Sequence, residues 1–120
     1  MFVSKLEVDA FGVKRKHYYL TQGDSQYIYI VPKNQNGEVV VDNIDTCEFR
    51  LGKTEVINDK YPIVYSKLLE KENDKLVLRL DSEETSEIDV DTYKYQFDFN
   101  FIDGSKETLQ GFFTITAVVG

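Results

Sequence analysis

A catalyst built from this chain would need a nucleophile beside a base, two carboxylates held apart, or a cluster of metal ligands, and few residues suit these roles. His17 is the only histidine. It lies in Lys14-Arg15-Lys16-His17-Tyr18, where cationic neighbours oppose proton uptake, and no second and third ligand stand at metal spacing. Cys47 is the only cysteine and shares a strand face with Phe49 and Leu51, which reads as a small buried hydrophobe. The acids cluster at Asp42/Asp45 and in the run Asp81, Glu83, Glu84, Glu87, Asp89, Asp91. They offer oxygen ligands of the kind calcium takes, but without the Gly-containing loop of a calcium site. No carboxylate pair is spaced to flank a glycosidic bond. The tyrosines of Tyr18-Tyr19, Tyr27/Tyr29 and Tyr61/Tyr65 could stack on sugar rings if exposed, or form core and cross-strand pairs. The residues therefore assign no catalytic group, no cofactor and no metal.

The elements that carry these residues are strands. From Tyr93 to Phe101 every odd position is aromatic and every even one polar, Lys94, Gln96, Asp98 and Asn100, so five rings share a face that only a second layer can bury. Asp103-Gly104 supplies a tight turn, and Thr108–Val119 returns as a second strand. Further turn signals recur about every ten residues, at Phe11-Gly12, Gln22-Gly23-Asp24, Asn34 to Gly37, Asn58-Asp59-Lys60 and Glu72-Asn73-Asp74. Between them lie expected strands at Val3–Asp9, Lys14–Leu20, Gln26–Pro32, Glu38–Val41, Thr46–Leu51, Pro62–Leu69 and Lys75–Leu80. One helical turn is expected near residues 82–87, capped by Asp81 or Ser82. Leu76, Leu78, Leu80, Phe113, Ile115 and Ala117 should point inward, with Thr114 and Thr116 outward. The strand Gln26–Val31 is apolar on both faces, which suits a central position or a face that meets a partner.

These features define an all-β sandwich of about seven to nine short strands, forming one domain over residues 1–120. A chain of 120 residues can bury about two-thirds of its unfolded surface in a single core. Its formal charge of −7 repels nucleic-acid phosphates and anionic lipid surfaces. No apolar run is long enough for a membrane span, and the acids near the N-terminus are unlike a signal peptide. The expectation is a protein made and folded in a cytosol, with no nucleic-acid partner and no membrane insertion.

Three passages carry a family resemblance. Leu20-Thr21-Gln22-Gly23-Asp24-Ser25-Gln26-Tyr27-Ile28-Tyr29 has a Gly-Asp turn leading into an alternating strand, followed by the polar-Gly turn Asn34-Gln35-Asn36-Gly37. Leu78-Arg79-Leu80-Asp81-Ser82-Glu83-Glu84-Thr85 is a strand running into an acidic turn. Tyr93 to Phe99, Asp103-Gly104, Thr108-Leu109 and Gly111-Phe112-Phe113-Thr114-Ile115-Thr116 form a closing hairpin in which a glycine opens the final strand. Together, from Leu20 to Val119, they resemble the small immunoglobulin-like domains of tailed-bacteriophage virions, including the N-terminal domain of siphophage baseplate upper proteins. Residues 1–19 lie outside the likeness and are read as extra strands or a docking arm.

The resemblance implies an immunoglobulin-like fold and a non-enzymatic virion component, made in the bacterial host cytoplasm. Such a part would assemble with other virion proteins, as a homo-oligomer or in many copies, in the tail or baseplate, the neck or the capsid decoration. Its expected contacts are Phe2, Val3, Leu6 and Val8, which alternate and could add a strand to a partner's sheet, and Tyr27 and Tyr29 on the second face of Gln26–Val31. The competing reading is a recognition module that binds host-surface glycans or calcium.

Overall fold

The structure is a computed structural model that describes residues 17–33 and 36–119, together with the backbone of residues 2–9. Its central feature is the closing hairpin, β8 (Asp91–Phe101) and β9 (Lys106–Thr116), paired antiparallel with Tyr93 opposite Phe113, Tyr95 opposite Gly111 and Phe97 opposite Leu109. The turn forms because Gly104 takes φ +91° and Asp103 accepts hydrogen bonds from the Ser105 N–H and hydroxyl at 2.8 and 2.6 Å. Tyr93, Tyr95, Phe97 and Phe99 are fully buried, and Phe101 packs at the margin of the same core.

The hairpin is the middle of a five-stranded sheet. β4 (Ile44–Gly52) pairs antiparallel with β8, which sets Phe49 beside Phe97 with ring centroids 5.1 Å apart and Cys47 beside Phe99. β5 (Ile63–Leu68) forms one edge, and β2 (Tyr18–Thr21) runs parallel to β9 at the other. A second sheet has the order β1-β3-β7-β6, from β1 (Phe2–Asp9), β3 (Gln26–Lys33), β7 (Lys75–Leu80) and β6 (Glu70–Glu72). Between β5 and β6 the chain changes sheets at Leu69, whose N–H donates to the Cys47 carbonyl at 2.9 Å. Alternation aims Ile28, Ile30, Leu76, Leu78 and Leu80 of this sheet at the rings of the first, and all are buried. The all-β sandwich expected from the pattern is the fold observed, with nine strands among the described residues.

The expected helical turn is α1 (Ser82–Ser86), which carries the chain from β7 back to β8. Glu84 Oε1 accepts from the Asp81 N–H at 3.1 Å, and buried Thr85 donates to the Asp24 carbonyl at 2.8 Å. The helix is thereby tied to the turn between β2 and β3.

The strand expectations need correction at three points. Glu38–Val41 is not a strand: after the single bridge from Lys33 to Val39 the chain enters a 3₁₀ turn at Val41–Asn43, which places the Val41 side chain in the core. Pro32 explains the short pairing, since it accepts from the Val40 N–H at 2.9 Å but has no N–H to return. Ala117 is exposed rather than inward, because pairing with β2 ends at Thr21 and Thr116. β6 was absent from the pattern, since Glu70-Lys71-Glu72 has no apolar alternation; the Asn73 turn, at φ +53°, folds it onto β7. The described part of the expected strand Lys14–Leu20 is strand from Tyr18, in β2, and residues 10–16 lie outside the described residues.

Candidate functional site

The groups that could do chemistry are dispersed. His17 shares a 2.7 Å hydrogen bond with Thr114 Oγ1 and stacks on Tyr19 at 4.3 Å, on the outer face of the five-stranded sheet. Cys47 is buried, and burial, followed by the negative charges of Asp98 and Glu48, pushes its thiol well above the ordinary range. Two acids of the 81–91 run have cationic partners: Asp91 lies 3.7 Å from Lys53, and Glu84 closes one edge of the sandwich. Among the described residues, no group of three His, Cys, Asp or Glu side chains is placed to hold a metal.

The Glu84 contacts show how the edge is sealed. Tyr65 and Lys67 point inward from β5; the Tyr65 hydroxyl donates to Glu84, and Lys67 Nζ donates to Glu84 Oε1 at 2.8 Å and to the Arg79 carbonyl at 2.6 Å. Burial alone would raise the Glu84 carboxyl, but hydrogen bonds from Lys67, Tyr65 and the Asp81 N–H hold it below the usual range. The Tyr65 hydroxyl moves the opposite way, raised by burial and by its bond to Glu84. This network links β5 of one sheet to β7 of the other and to α1.

Tyr27 and Tyr29 lie on the outer face of the four-stranded sheet, half-buried. Arg79 sits 5.5 Å from the Tyr27 ring centroid and Lys75 sits 4.8 Å from that of Tyr29. The guanidinium of Arg79 also pairs with Glu70 and Glu72 of β6. The other expected contacts, Phe2, Val3, Leu6 and Val8, fall on β1, whose backbone runs parallel to β3 with Val3 opposite Tyr27; their side chains lie outside the described residues.

Two surfaces escaped the sequence pattern. Along the β5 edge and the segment before it, Val56, Ile57, Ile63, Val64 and Leu68 are exposed, with Leu68 at 60%. The second surface is a cleft of about 410 Å³ on the outer face of the five-stranded sheet, lined by Arg50, Lys60, Tyr61, Lys94, Gln96 and Gln110 among others. The segment 53–62 forms its wall. Asn58 and Asp59 at φ +52° and +65° make a two-residue reversal in which Ile57 and Lys60 exchange backbone hydrogen bonds, and the Lys53 N–H donates to the Pro62 carbonyl at 2.9 Å.

The cleft floor is an ordered polar ladder. Gln110 Nε2 donates to Gln96 Oε1 at 2.7 Å, and Gln96 Nε2 donates to Asp98 Oδ1 at 2.7 Å. Asp98 is 1% exposed; Thr108 also donates to it, and Arg50 Nε lies 3.3 Å from its second oxygen. Arg50 is held in turn by Glu48 at 2.6 Å. Lys94 lies over the rings of Tyr61 and Phe112, at 5.5 and 5.0 Å from their centroids.

No protein-family model and no curated protein matches the chain. Among solved structures it is similar to the N-terminal domain of phage TP901-1 ORF48, with a TM-score of 0.58 at 14% sequence identity, covering 97% of this chain and 99% of that one. At that identity the likeness is one of fold, and it extends over the whole two-sheet sandwich.

Proposed function

We propose that the chain is a non-enzymatic structural component of a tailed-phage or phage-derived particle, working through contacts with other particle proteins. The observation that carries this reading is the fold it shares, end to end, with a domain of a phage protein. The dispersal of His17, Cys47 and Glu84 agrees with it, since they are engaged in a surface hydrogen bond, in core packing and in pairing respectively. A tail or baseplate position, the neck and the capsid decoration are the places such a part would occupy. A lasting contact there buries on the order of 1,200–2,000 Å² with an apolar centre. The surfaces offered for it are β1 with Phe2, Val3, Leu6 and Val8, the Tyr27–Tyr29 face, and the apolar β5 edge.

A nonsense mutation early in the gene, in the phage or prophage that carries it, tests the proposal. The expected result is incomplete particles by electron microscopy and a loss of titre, both restored by supplying the protein from a plasmid. Normal particles at normal titre without the protein would overturn it.

A further inference from the structure

We infer that the cleft on the outer face of the five-stranded sheet is a binding site for a saccharide unit bearing an acidic substituent, a carboxylate or a phosphate. The inference goes beyond the particle role and does not depend on it. A volume of about 410 Å³ lies within the range of small-molecule sites and accommodates one or two sugar rings. The lining matches sugar chemistry. Gln110 and Gln96 are fixed in orientation by the chain of bonds that ends on buried Asp98, so their remaining amide groups face the cleft already ordered for hydroxyl groups. Tyr61 and Ile63 supply the apolar surface against which a ring can lie.

The acidic substituent follows from charge. In a chain of net charge −7 three cations, Arg50, Lys60 and Lys94, line the cleft, with Asp59 the one acid among the lining residues and Asp98 buried beneath them. Glu48 and Asp98 already engage Arg50, whereas Lys60 and Lys94 reach no carboxylate among the described residues. Lys94 instead rests on two aromatic rings, which orients its ammonium group without neutralising it. Two cations near an ordered polar ladder favour an anion that brings its own hydrogen-bonding hydroxyls. A protein partner would favour an apolar centre, whereas the centre of this cleft is the Gln96–Gln110 ladder, with Tyr61 and Ile63 at its side.

The test is a titration of the full chain followed by ¹⁵N–¹H NMR, with glucuronate, glucose 6-phosphate, glucose, inorganic phosphate and a short glutamate peptide as probes. Glucuronate or glucose 6-phosphate should shift the side-chain amides of Gln96 and Gln110 and the backbone signals of Lys60, Tyr61 and Lys94, with Kd of about 1 mM. The stronger of the two identifies the acid. Glucose should bind at least about tenfold more weakly, and Lys94→Ala should cost the acidic sugar a similar factor while leaving glucose unaffected. Lys60→Ala, on the exposed reversal, serves the same purpose if Lys94→Ala perturbs folding. The inference fails if neither acidic sugar shifts these signals. It fails equally if inorganic phosphate or the glutamate peptide binds as tightly as the sugars.

Discussion

Gly111 should resist replacement by alanine for want of space alone. Its φ is not positive, so the backbone places no demand on it, and removing a glycine from a strand ordinarily gains about 0.5–1 kcal/mol. A methyl group at this position, however, would lie 2.6–2.7 Å from Cε2, Cζ and the hydroxyl oxygen of Tyr95. Relaxed contacts between carbon atoms fall at about 3.5–4.0 Å, so the ring would have to retreat by about 1 Å. It has little room to do so, being fully buried with Tyr18 at 5.4 Å and Phe97 at 5.6 Å between centroids. Overpacking of this kind costs about 1–3 kcal/mol; taking the upper end and subtracting the propensity gain leaves Gly111→Ala destabilised by about 2 kcal/mol. Urea unfolding at equilibrium, followed by far-UV circular dichroism, measures this directly. In a Tyr95→Leu background the cost of Gly111→Ala should vanish or change sign, since the obstructing ring is gone. A Gly111→Ala protein as stable as the parent would show that the ring is not pinned over the glycine, and the account of the hairpin's inner face would fail.

Glu84→Gln should lose about 1 kcal/mol at pH 7, because Tyr65 and Lys67 would then face a neutral partner. With its folded pKa held low, Glu84 contributes its full stability above the ordinary carboxylate range and loses it as pH falls through the folded value; urea midpoints of parent and variant should therefore converge on acidification below about pH 4. Gln26 is fully buried, and among the described residues neither polar atom of its side chain has a hydrogen-bond partner. Gln26→Leu should accordingly raise stability by about 1 kcal/mol in the same assay, and a loss would reveal a partner for the amide. Cys47 should be unreactive toward a thiol reagent in the folded protein and react fully in denaturing urea; rapid labelling of the native chain would contradict its burial.

The strand pattern was readable where burial enforces it. A run of alternating rings from Tyr93 to Phe101 has one arrangement that keeps them from water, and the structure adopts it. The two-sided apolarity of Gln26–Val31 likewise suits a strand between two neighbours, which is where β3 lies, between β1 and β7. What was illegible depends on partners distant in sequence. β6 exists because Glu70 and Glu72 flank Lys71 opposite β7 and pair with Arg79, relations invisible in a three-residue polar segment. The expected strand at Glu38–Val41 ignored the donor missing from Pro32, its cross-strand neighbour. Lys94, Gln96 and Gln110 could be placed on a polar face from alternation, but not in a cleft, because Lys60 and Tyr61 reach them from a reversal whose direction is set by tertiary contacts.

The particle role is tested most directly by quantitative mass spectrometry of washed, density-purified particles from the phage or prophage that carries the gene. The account predicts this chain in a fixed ratio to the major capsid protein that corresponds to a symmetric ring or a regular surface array. Its absence from purified particles, with abundant free protein in the lysate, would contradict the account.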